Sequence, residues 1–148
     1  MKRIIIMLAV AMVCCTACRY EEGPGISFIS PEYRIMGNWN LEKVFLNGSQ
    51  ISETNYLANN PNTYYLFEYD GVFDLLVYSN NAIHRAAYGS WRFQNNCKEL
   101  IMDFQVKTQK YYYVARIKKL SKKELIYEYD DAYGDHWRLE LACISRVN

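Results

Sequence analysis

The sequence predicts an all-β domain, with an eight-stranded antiparallel up-and-down barrel as the expected architecture and a two-sheet β-sandwich as the alternative. Fourteen Tyr, six Phe and three Trp make up 16% of the 148 residues, and aromatic residues favour a pleated, half-buried surface. Beyond residue 36, apolar and polar residues alternate in runs separated by short turn signals, which is the pattern of half-buried strands. Eight such strands avoid exposed edges if they close into a barrel.

The first eighteen residues have the layout of a secretory signal peptide. Lys2 and Arg3 are followed by an apolar run from Ile4 to Val13, and small residues precede Cys18. That run is too short to span a bilayer and suits a cleaved leader. The segment that ends at Cys18 also resembles the lipobox of bacterial lipoproteins, in which the Cys after the cut carries lipid. We therefore expect a lipoprotein signal peptide at 1–17, a lipidated Cys18 with a tether at 18–32, and the barrel domain at 33–148.

The charge balance excludes one class of partner and leaves the others open. The chain has 17 Lys and Arg against 16 Asp and Glu, and without Lys2 and Arg3 the numbers are 15 and 16. The signs are interspersed, so the chain has no basic stripe for phosphate contacts and is not expected to bind nucleic acid. Glu21 and Glu22, just after Cys18, resemble the export signal of Bacteroidetes-type lipoproteins. The resemblance implies a lipid anchor in the outer membrane, facing the periplasm or the cell surface, and no protein partner is identified.

The strands can be placed in order along the chain. Ser30-Pro31-Glu32 predicts one helical turn, and the first strand follows from Met36 to Leu46. Its alternation slips at Glu42-Lys43, as it does at a bulge, and Asn47-Gly48 predicts the turn that ends it. Asp70-Gly71 is the clearest hairpin signal and favours a type I′ turn. The other seven predicted strands are 63–69, 72–78, 86–93, 99–106, 111–120, 125–130 and 136–145.

Several of these motifs together resemble the lipocalin-like domains of small bacterial lipoproteins. They are Gly37-Asn38-Trp39, Asn47-Gly48, the stretch from Phe67 to Phe73, Gly89-Ser90-Trp91 and Trp137-Arg138-Leu139. The likeness covers most of residues 33–146 and implies a barrel that holds a small apolar molecule. It also implies a basic residue packed over the Trp of the first strand, for which Arg138 and Arg146 are the candidates.

Two function classes follow for a barrel of this kind. In the first, the barrel binds a small apolar or amphipathic ligand inside or at its mouth, and residues 52–61 form a helical turn or a lid-like loop. The candidate wall residues are Trp39, Phe67, Phe73, Trp91 and Phe104. In the second, the barrel is filled and its Tyr-rich outer surface binds a protein or a glycan, as an inhibitor or an assembly subunit. A cavity of several hundred Å³ would favour the first class, whereas a packed interior with exposed tyrosines would favour the second.

Catalytic, metal and cofactor sites are not expected from the sequence. His84 and His136 are the two histidines, and neither belongs to a recognisable Ser-His set or zinc site. Asp130, Asp131, Asp135 and His136 offer oxygen and nitrogen ligands, but their spacing matches no metal loop and is typical of a hairpin turn. We therefore expect a protein that is not an enzyme.

Cys97 and Cys143 are the cysteines that remain after the anchor. An exported protein can keep a disulfide, so a bridge between them stays open. Cys143 continues the alternation of the last strand, which indicates a small buried hydrophobe.

Overall fold

The computed structural model describes residues 20–23, 27–56 and 62–146. The predicted signal peptide and Cys18 lie outside the described residues, and so do parts of the predicted tether and of the predicted 52–61 loop. The described chain forms one short helix, one 3-10 turn at Glu53–Asn55 and nine strands. These are α1 (Pro31–Ile35), β1 (Gly37–Leu46), β2 (Ser49–Ile51), β3 (Thr63–Phe67), β4 (Val72–Ser79), β5 (Ala82–Gln94), β6 (Glu99–Val106), β7 (Gln109–Leu120), β8 (Glu124–Asp130) and β9 (His136–Ser145).

The strands close into a barrel. From β3 to β9 each strand pairs antiparallel with the next, and β1 pairs with both β3 and β9. Trp39 lies opposite Cys143 and Leu46 opposite Trp137, so the first and last strands are neighbours along most of their length. The predicted eight-stranded up-and-down barrel is confirmed, and it fits a lipocalin-like barrel. The closed ladder also excludes the sandwich, in which β1 and β9 would not be paired over this length.

Strand β1 changes direction at a predicted bulge. The register between β1 and β9 shifts between Leu41 and Lys43, and both Glu42 and Lys43 are exposed. Below the bulge β1 pairs with β3, and above it β1 pairs with the short strand β2, which the sequence did not predict. The extra residue at the bulge bends β1 locally, so that β1 pairs with β3 before the bulge and with β2 after it, along the same edge.

The turn at Asp70-Gly71 differs from the predicted type. The hairpin is present, but only Gly71 takes a positive φ, of 81°, whereas a type I′ turn needs positive φ at two residues. The Gly71 N–H donates to the Glu68 carbonyl at 3.3 Å, so the loop is longer than the two residues that a type I′ hairpin requires. Two residues with positive φ occur instead at Asn47-Gly48 and at Asn80-Asn81.

Gly89 allows β5 to approach β6 closely. A Cβ at this position would lie 2.1 Å from the Asp103 carbonyl oxygen and 2.4 Å from the Phe104 Cα. A side chain here would separate the two strands, so the glycine is where the sheet can curve tightly enough to close. Strand β5 is also longer than predicted, because it continues back to Ala82.

One end of the barrel, here called the base, carries α1 and the turns β3–β4, β5–β6 and β7–β8. Ser30 caps α1 by accepting a hydrogen bond from the Tyr33 N–H at 3.3 Å, which confirms the predicted helical turn. The Trp39 indole donates to the Ile35 carbonyl at 2.7 Å, and both side chains are buried. In the part of the chain described here, no helix has the length and apolar character needed to span a membrane.

Arg146 completes the base. Its guanidinium lies 5.6 Å from the centre of the Trp39 ring, so it is Arg146 and not Arg138 that takes the predicted position over the first-strand Trp. The same group donates to the Met36 carbonyl at 3.0 Å and to the Lys122 carbonyl. Arg146 therefore joins α1, β1 and the β7–β8 turn.

Candidate functional site

The predicted wall residues fill the barrel. Phe73 lies 5.2 Å from Phe67 and 5.2 Å from Phe104, measured between ring centres, and Phe67 lies 5.9 Å from Trp91. Trp39 makes its own contacts, with Ile35 and Arg146. All five side chains are between 0 and 6% exposed. Tilted and edge-to-face ring contacts of this kind stabilise a packed core, so the other four rings are packed against one another in the barrel.

A second aromatic group lies nearer the other end, here called the mouth. The Tyr113 and Tyr129 rings are stacked 4.1 Å apart and 7° from parallel. Tyr56, in the segment between β2 and β3, shares a 2.7 Å hydrogen bond with the Tyr129 hydroxyl and packs 5.3 Å from the Trp137 ring. Tyr56 is thereby fixed across the mouth, above the stack.

Two buried hydroxyls near this group, those of Tyr65 and Tyr127, make no hydrogen bond of ordinary geometry among the described residues. The Tyr127 hydroxyl lies near that of Tyr113, which contacts the Met102 sulfur at 3.5 Å. Burial raises the pKa of each of these phenols above its ordinary value, so they stay neutral. Unpaired buried hydroxyls are uncommon, and here they make a polar spot that can bind a water molecule or a ligand oxygen.

Other tyrosines point away from the barrel interior, toward solvent. Along β7 the side chains alternate, so Tyr113 points inward and Tyr112 points outward. Tyr112 is 63% exposed and Tyr88, on β5, is 57% exposed. Between them, Asp103 of β6 lies opposite Tyr112, and Gln105 lies opposite Tyr88.

A groove of about 240 Å³ is bordered by Tyr88, and Tyr112 lies next to it, opposite the lining residue Asp103. Its lining residues are Tyr88, Gly89, Ser90, Asp103, Phe104, Gln105 and Lys110. The lining combines an aromatic ring with hydroxyl, carboxylate, amide and ammonium groups. We call this feature the outer groove. Sequence analysis did not identify it, because its residues come from three different strands.

The larger surface depression, of about 380 Å³, is lined mostly by charged side chains that are paired. Lys43 lies 3.5 Å from Glu140, and Lys119 lies 2.8 Å from Glu124. The pairs are exposed to water, and such pairs make weak contributions to binding or stability. This depression has the character of a solvated surface.

The acidic residues near His136 build a turn. Asp131 accepts hydrogen bonds from the backbone N–H groups of Tyr133 at 2.8 Å and Asp135 at 3.0 Å. The Trp137 indole donates to it at 2.9 Å, and this bond lowers the pKa of the Asp131 carboxyl. No group of three or more His, Cys, Asp or Glu within the described ranges is arranged to hold a metal ion.

The remaining candidate residues make separate contacts. Cys97 and Cys143 are not joined in a disulfide. The Cys143 thiol lies 3.6 Å from the Ser145 carbonyl, and burial raises its pKa, while Cys97 lies 3.7 Å from the Glu32 carboxylate. His84 is exposed on β5.

Comparison with known proteins adds no relative: no family model and no curated protein match this chain. Two places in the described residues have binding geometry. One is the outer groove beside Tyr88 and Tyr112, and the other is the set of inner hydroxyls around Tyr65 and Tyr127.

Proposed function

We propose that the protein is a non-enzymatic binding module of the cell envelope, anchored by lipid at Cys18, whose lipocalin-like barrel binds a glycan in the outer groove. The observation that carries this proposal is the contrast between the two faces of the sheet. The predicted wall residues are packed against one another, whereas Tyr88 and Tyr112 leave large aromatic surfaces in solvent. A filled barrel with exposed aromatic residues presents its outside to a partner.

The chemistry of the outer groove suits a sugar. A tyrosine ring offers an apolar face for the C–H groups of a pyranose, and its hydroxyl remains able to hydrogen-bond. Asp103, Gln105 and Lys110 provide acceptors and donors for sugar hydroxyls, which must be paired when they leave water. The volume of about 240 Å³ is below the usual scale for a whole small-molecule ligand, roughly 300–1,000 Å³. The groove therefore fits one end or one unit of a longer glycan.

The lipid anchor at Cys18 supports the proposed location at a membrane. Acyl chains contribute roughly 0.8 kcal/mol per buried methylene, so a multiply acylated Cys18 would hold the barrel durably on a membrane. The resemblances to the lipobox and to the acidic export signal support the outer membrane of a Bacteroidetes-type bacterium.

A glycan array tests the groove. The fluorescently labelled chain from residue 19 onward is applied together with the variants Tyr88→Ala and Tyr112→Ala. We expect binding to a subset of glycans, with about tenfold weaker binding for each variant, since an aromatic anchor contributes on the order of 1–2 kcal/mol. Tyr133→Ala is the matched control, because Tyr133 is 93% exposed and lies outside the groove. Absence of binding, or equal binding by all four proteins, would reject the glycan proposal.

A small apolar or amphipathic ligand at the mouth is the second candidate function. It is favoured by the unpaired Tyr65 and Tyr127 hydroxyls beneath Tyr56, which a ligand oxygen could satisfy. Native mass spectrometry of protein purified from its own cells would then show a co-purifying molecule, and Tyr127→Phe would weaken its retention. If nothing co-purifies and fluorescent apolar probes do not bind, this candidate is excluded.

A further inference from the structure

The residues just after the predicted lipid site are bound to the barrel. Tyr20 is buried, its hydroxyl donates to the Cys97 carbonyl at 3.0 Å, and the Arg34 guanidinium lies 5.4 Å from the centre of its ring. Arg34 in turn donates to the Leu120 carbonyl at 2.7 Å. The expected loose tether is thus, at residue 20, part of the base.

Two acidic residues hold the same segment to the outer wall. Glu21 forms an ion pair with Lys118, and the Glu22 N–H donates to the Lys118 carbonyl at 2.8 Å. The Glu22 carboxylate accepts two hydrogen bonds from Arg138, each of 2.8 Å, and this bidentate geometry is the strong form of such a pair. We call Tyr20, Glu21 and Glu22 with their partners the N-terminal clamp.

The clamp sets how far the barrel can stand from a lipid anchor. Cys18 is two residues before Tyr20, and two extended residues span at most about 7 Å. The Tyr20 side chain contacts the β5–β6 turn through Cys97 and contacts α1 through Arg34, and both features belong to the base. An acyl chain on Cys18 would therefore enter the bilayer directly beside the base.

The surface near this point has the character of a membrane interface. Phe28 is 97% exposed and stands two residues before Ser30, the cap of α1. Lys98, Lys122 and Lys123 are exposed on the β5–β6 and β7–β8 turns. Aromatic side chains at head-group level and lysines beside anionic lipids are the usual interfacial contacts.

The three lysines stand on the side of the base next to the clamp, where the exposed carboxylates of Glu32 and Glu124 also lie. The β3–β4 turn, with exposed Tyr69 and Asp70, lies on the far side, four strand positions around the closed sheet from the β7–β8 turn. An anionic lipid surface would attract the lysines beside the clamp.

We propose that the base of the barrel docks on the lipid surface, with Phe28 among the head groups and the three lysines beside anionic phosphates, so that the mouth points away from the membrane. This inference rests on the proposed anchoring at Cys18. The clamp restricts the orientation, because a single residue of the sequence separates Cys18 from the clamped Tyr20.

Quenching by lipid tests the orientation. The full chain is produced with its leader, and the acylated protein is placed in vesicles of phosphatidylethanolamine and phosphatidylglycerol with brominated acyl chains. Phe28→Trp adds a fluorophore at the base and Tyr133→Trp adds one at the mouth, while the parent protein gives the background of the native tryptophans. We expect the added Phe28→Trp emission to fall about twofold or more, since an interfacial aromatic lies close to the acyl boundary, and the Tyr133→Trp emission to stay unchanged.

The possible outcomes separate anchoring from docking. If the mass of the protein shows no acyl group and the protein does not float with vesicles, both proposals are wrong. If it is acylated and floats, but the two added tryptophans are quenched equally or Phe28→Trp is not quenched, the docking is overturned and the anchoring stands. Combining Phe28→Trp with Glu22→Ala should reduce the quenching, whereas the exposed control Glu42→Ala should leave it unchanged. Equal quenching in those two would show that the clamp does not set the orientation.

Discussion

The base and the mouth of this barrel are closed by different chemistry. At the base, two arginine side chains reach backbone carbonyl groups, Arg34 at Leu120 and Arg146 at Met36. At the mouth, among the described residues, Tyr56 reaches across the barrel through a hydrogen bond between the neutral hydroxyls of Tyr56 and Tyr129. Charge-assisted hydrogen bonds are roughly twice as strong as neutral ones. The hydrogen bonds that close the base are therefore stronger than those that close the mouth. Contacts at the mouth can be exchanged at a lower free-energy cost.

The hydrogen bonds at the two ends also differ in how exposed they are to water. The mouth turn between β8 and β9 is held by side chains, with the Asn47 amide donating to Asp135 at 2.8 Å and accepting from the His136 N–H at 2.9 Å. These groups are exposed, so water can replace each of them. At the base, the Trp39 indole bond to Ile35 is buried, and loss of such a partner leaves an unsatisfied group.

The largest effect is expected for Trp39→Ala. The substitution removes a fully buried indole, its hydrogen bond to Ile35 and the ring beneath Arg146, and a loss of about 3–5 kcal/mol in the free energy of unfolding follows. Urea unfolding monitored by circular dichroism measures it. Tyr133→Ala, on the exposed mouth turn, should change the same quantity by less than about 0.5 kcal/mol. A loss for Trp39→Ala as small as that of the control would contradict the assignment of the base as the main closure.

Arg146→Met should come next. The apolar stem can keep its packing over Trp39, but the carbonyl groups of Met36 and Lys122 lose a charged donor, so we expect a loss of about 2–3 kcal/mol in unfolding free energy. Arg92→Met is the control, because Arg92 is exposed on β5. If the two variants unfold at the same urea concentration, Arg146 does not join the elements of the base.

Substitutions of the two inward-facing tyrosines of β8 test the contacts at the mouth separately. Tyr129→Phe removes the hydrogen bond to Tyr56 and should lower the unfolding free energy by about 1 kcal/mol. Tyr127→Phe removes a buried hydroxyl that makes no hydrogen bond of ordinary geometry, so it should leave stability unchanged or raise it slightly. Thermal and urea unfolding of both variants test this, and a loss for Tyr127→Phe would show that its hydroxyl is bonded in solution.

The smallest effect is expected for acidification of the N-terminal clamp. Hydrogen bonds from Arg138 hold the pKa of the Glu22 carboxyl below its ordinary value of 4.5. A group of this kind stabilises the folded form above its unfolded pKa and loses that contribution as the pH falls through its lower folded pKa. The clamp should therefore be intact at neutral pH and open in acid, as the pH falls below the ordinary pKa of 4.5, with a change in unfolding free energy of no more than about 1 kcal/mol because the pair is partly exposed.

The Glu22 amide resonance in an NMR titration reports clamp opening, since this N–H donates to the Lys118 carbonyl. In Arg138→Gln the same resonance should already have its released position at neutral pH. If the resonance does not move in acid, the clamp is not held by the carboxylate.

The fold could be predicted from the sequence because it depends on local signals. The two-residue alternation predicted most strands, the slip at Glu42-Lys43 predicted the bulge, and Asn47-Gly48 predicted the turn that ends the first strand. Strand β2 was missed because three residues are too few to show a period. The turn type at Asp70-Gly71 was wrong because loop length, which only the pairing of β3 with β4 defines, decides which residues need positive φ.

The candidate sites could not be predicted in the same way. The ion pair between Glu22 and Arg138 joins residues 116 positions apart, and no local pattern indicates it. The run Tyr111-Tyr112-Tyr113 suggested an aromatic surface, yet it could not show that the Tyr65 and Tyr127 hydroxyls would lack hydrogen bonds of ordinary geometry. Such features depend on side-chain positions across the barrel and follow from the closed structure.

The pairing of β1 with β9 also has a consequence for how the chain folds. Asn38 bonds to Ser145 across 107 positions, so the contact that seals the molecule has a very high sequence separation, and closing a loop of that length is slow. While the chain is being completed, β1 must wait for the last strand with one edge uncovered. Chaperones that shield open sheet edges would therefore be needed most during that interval.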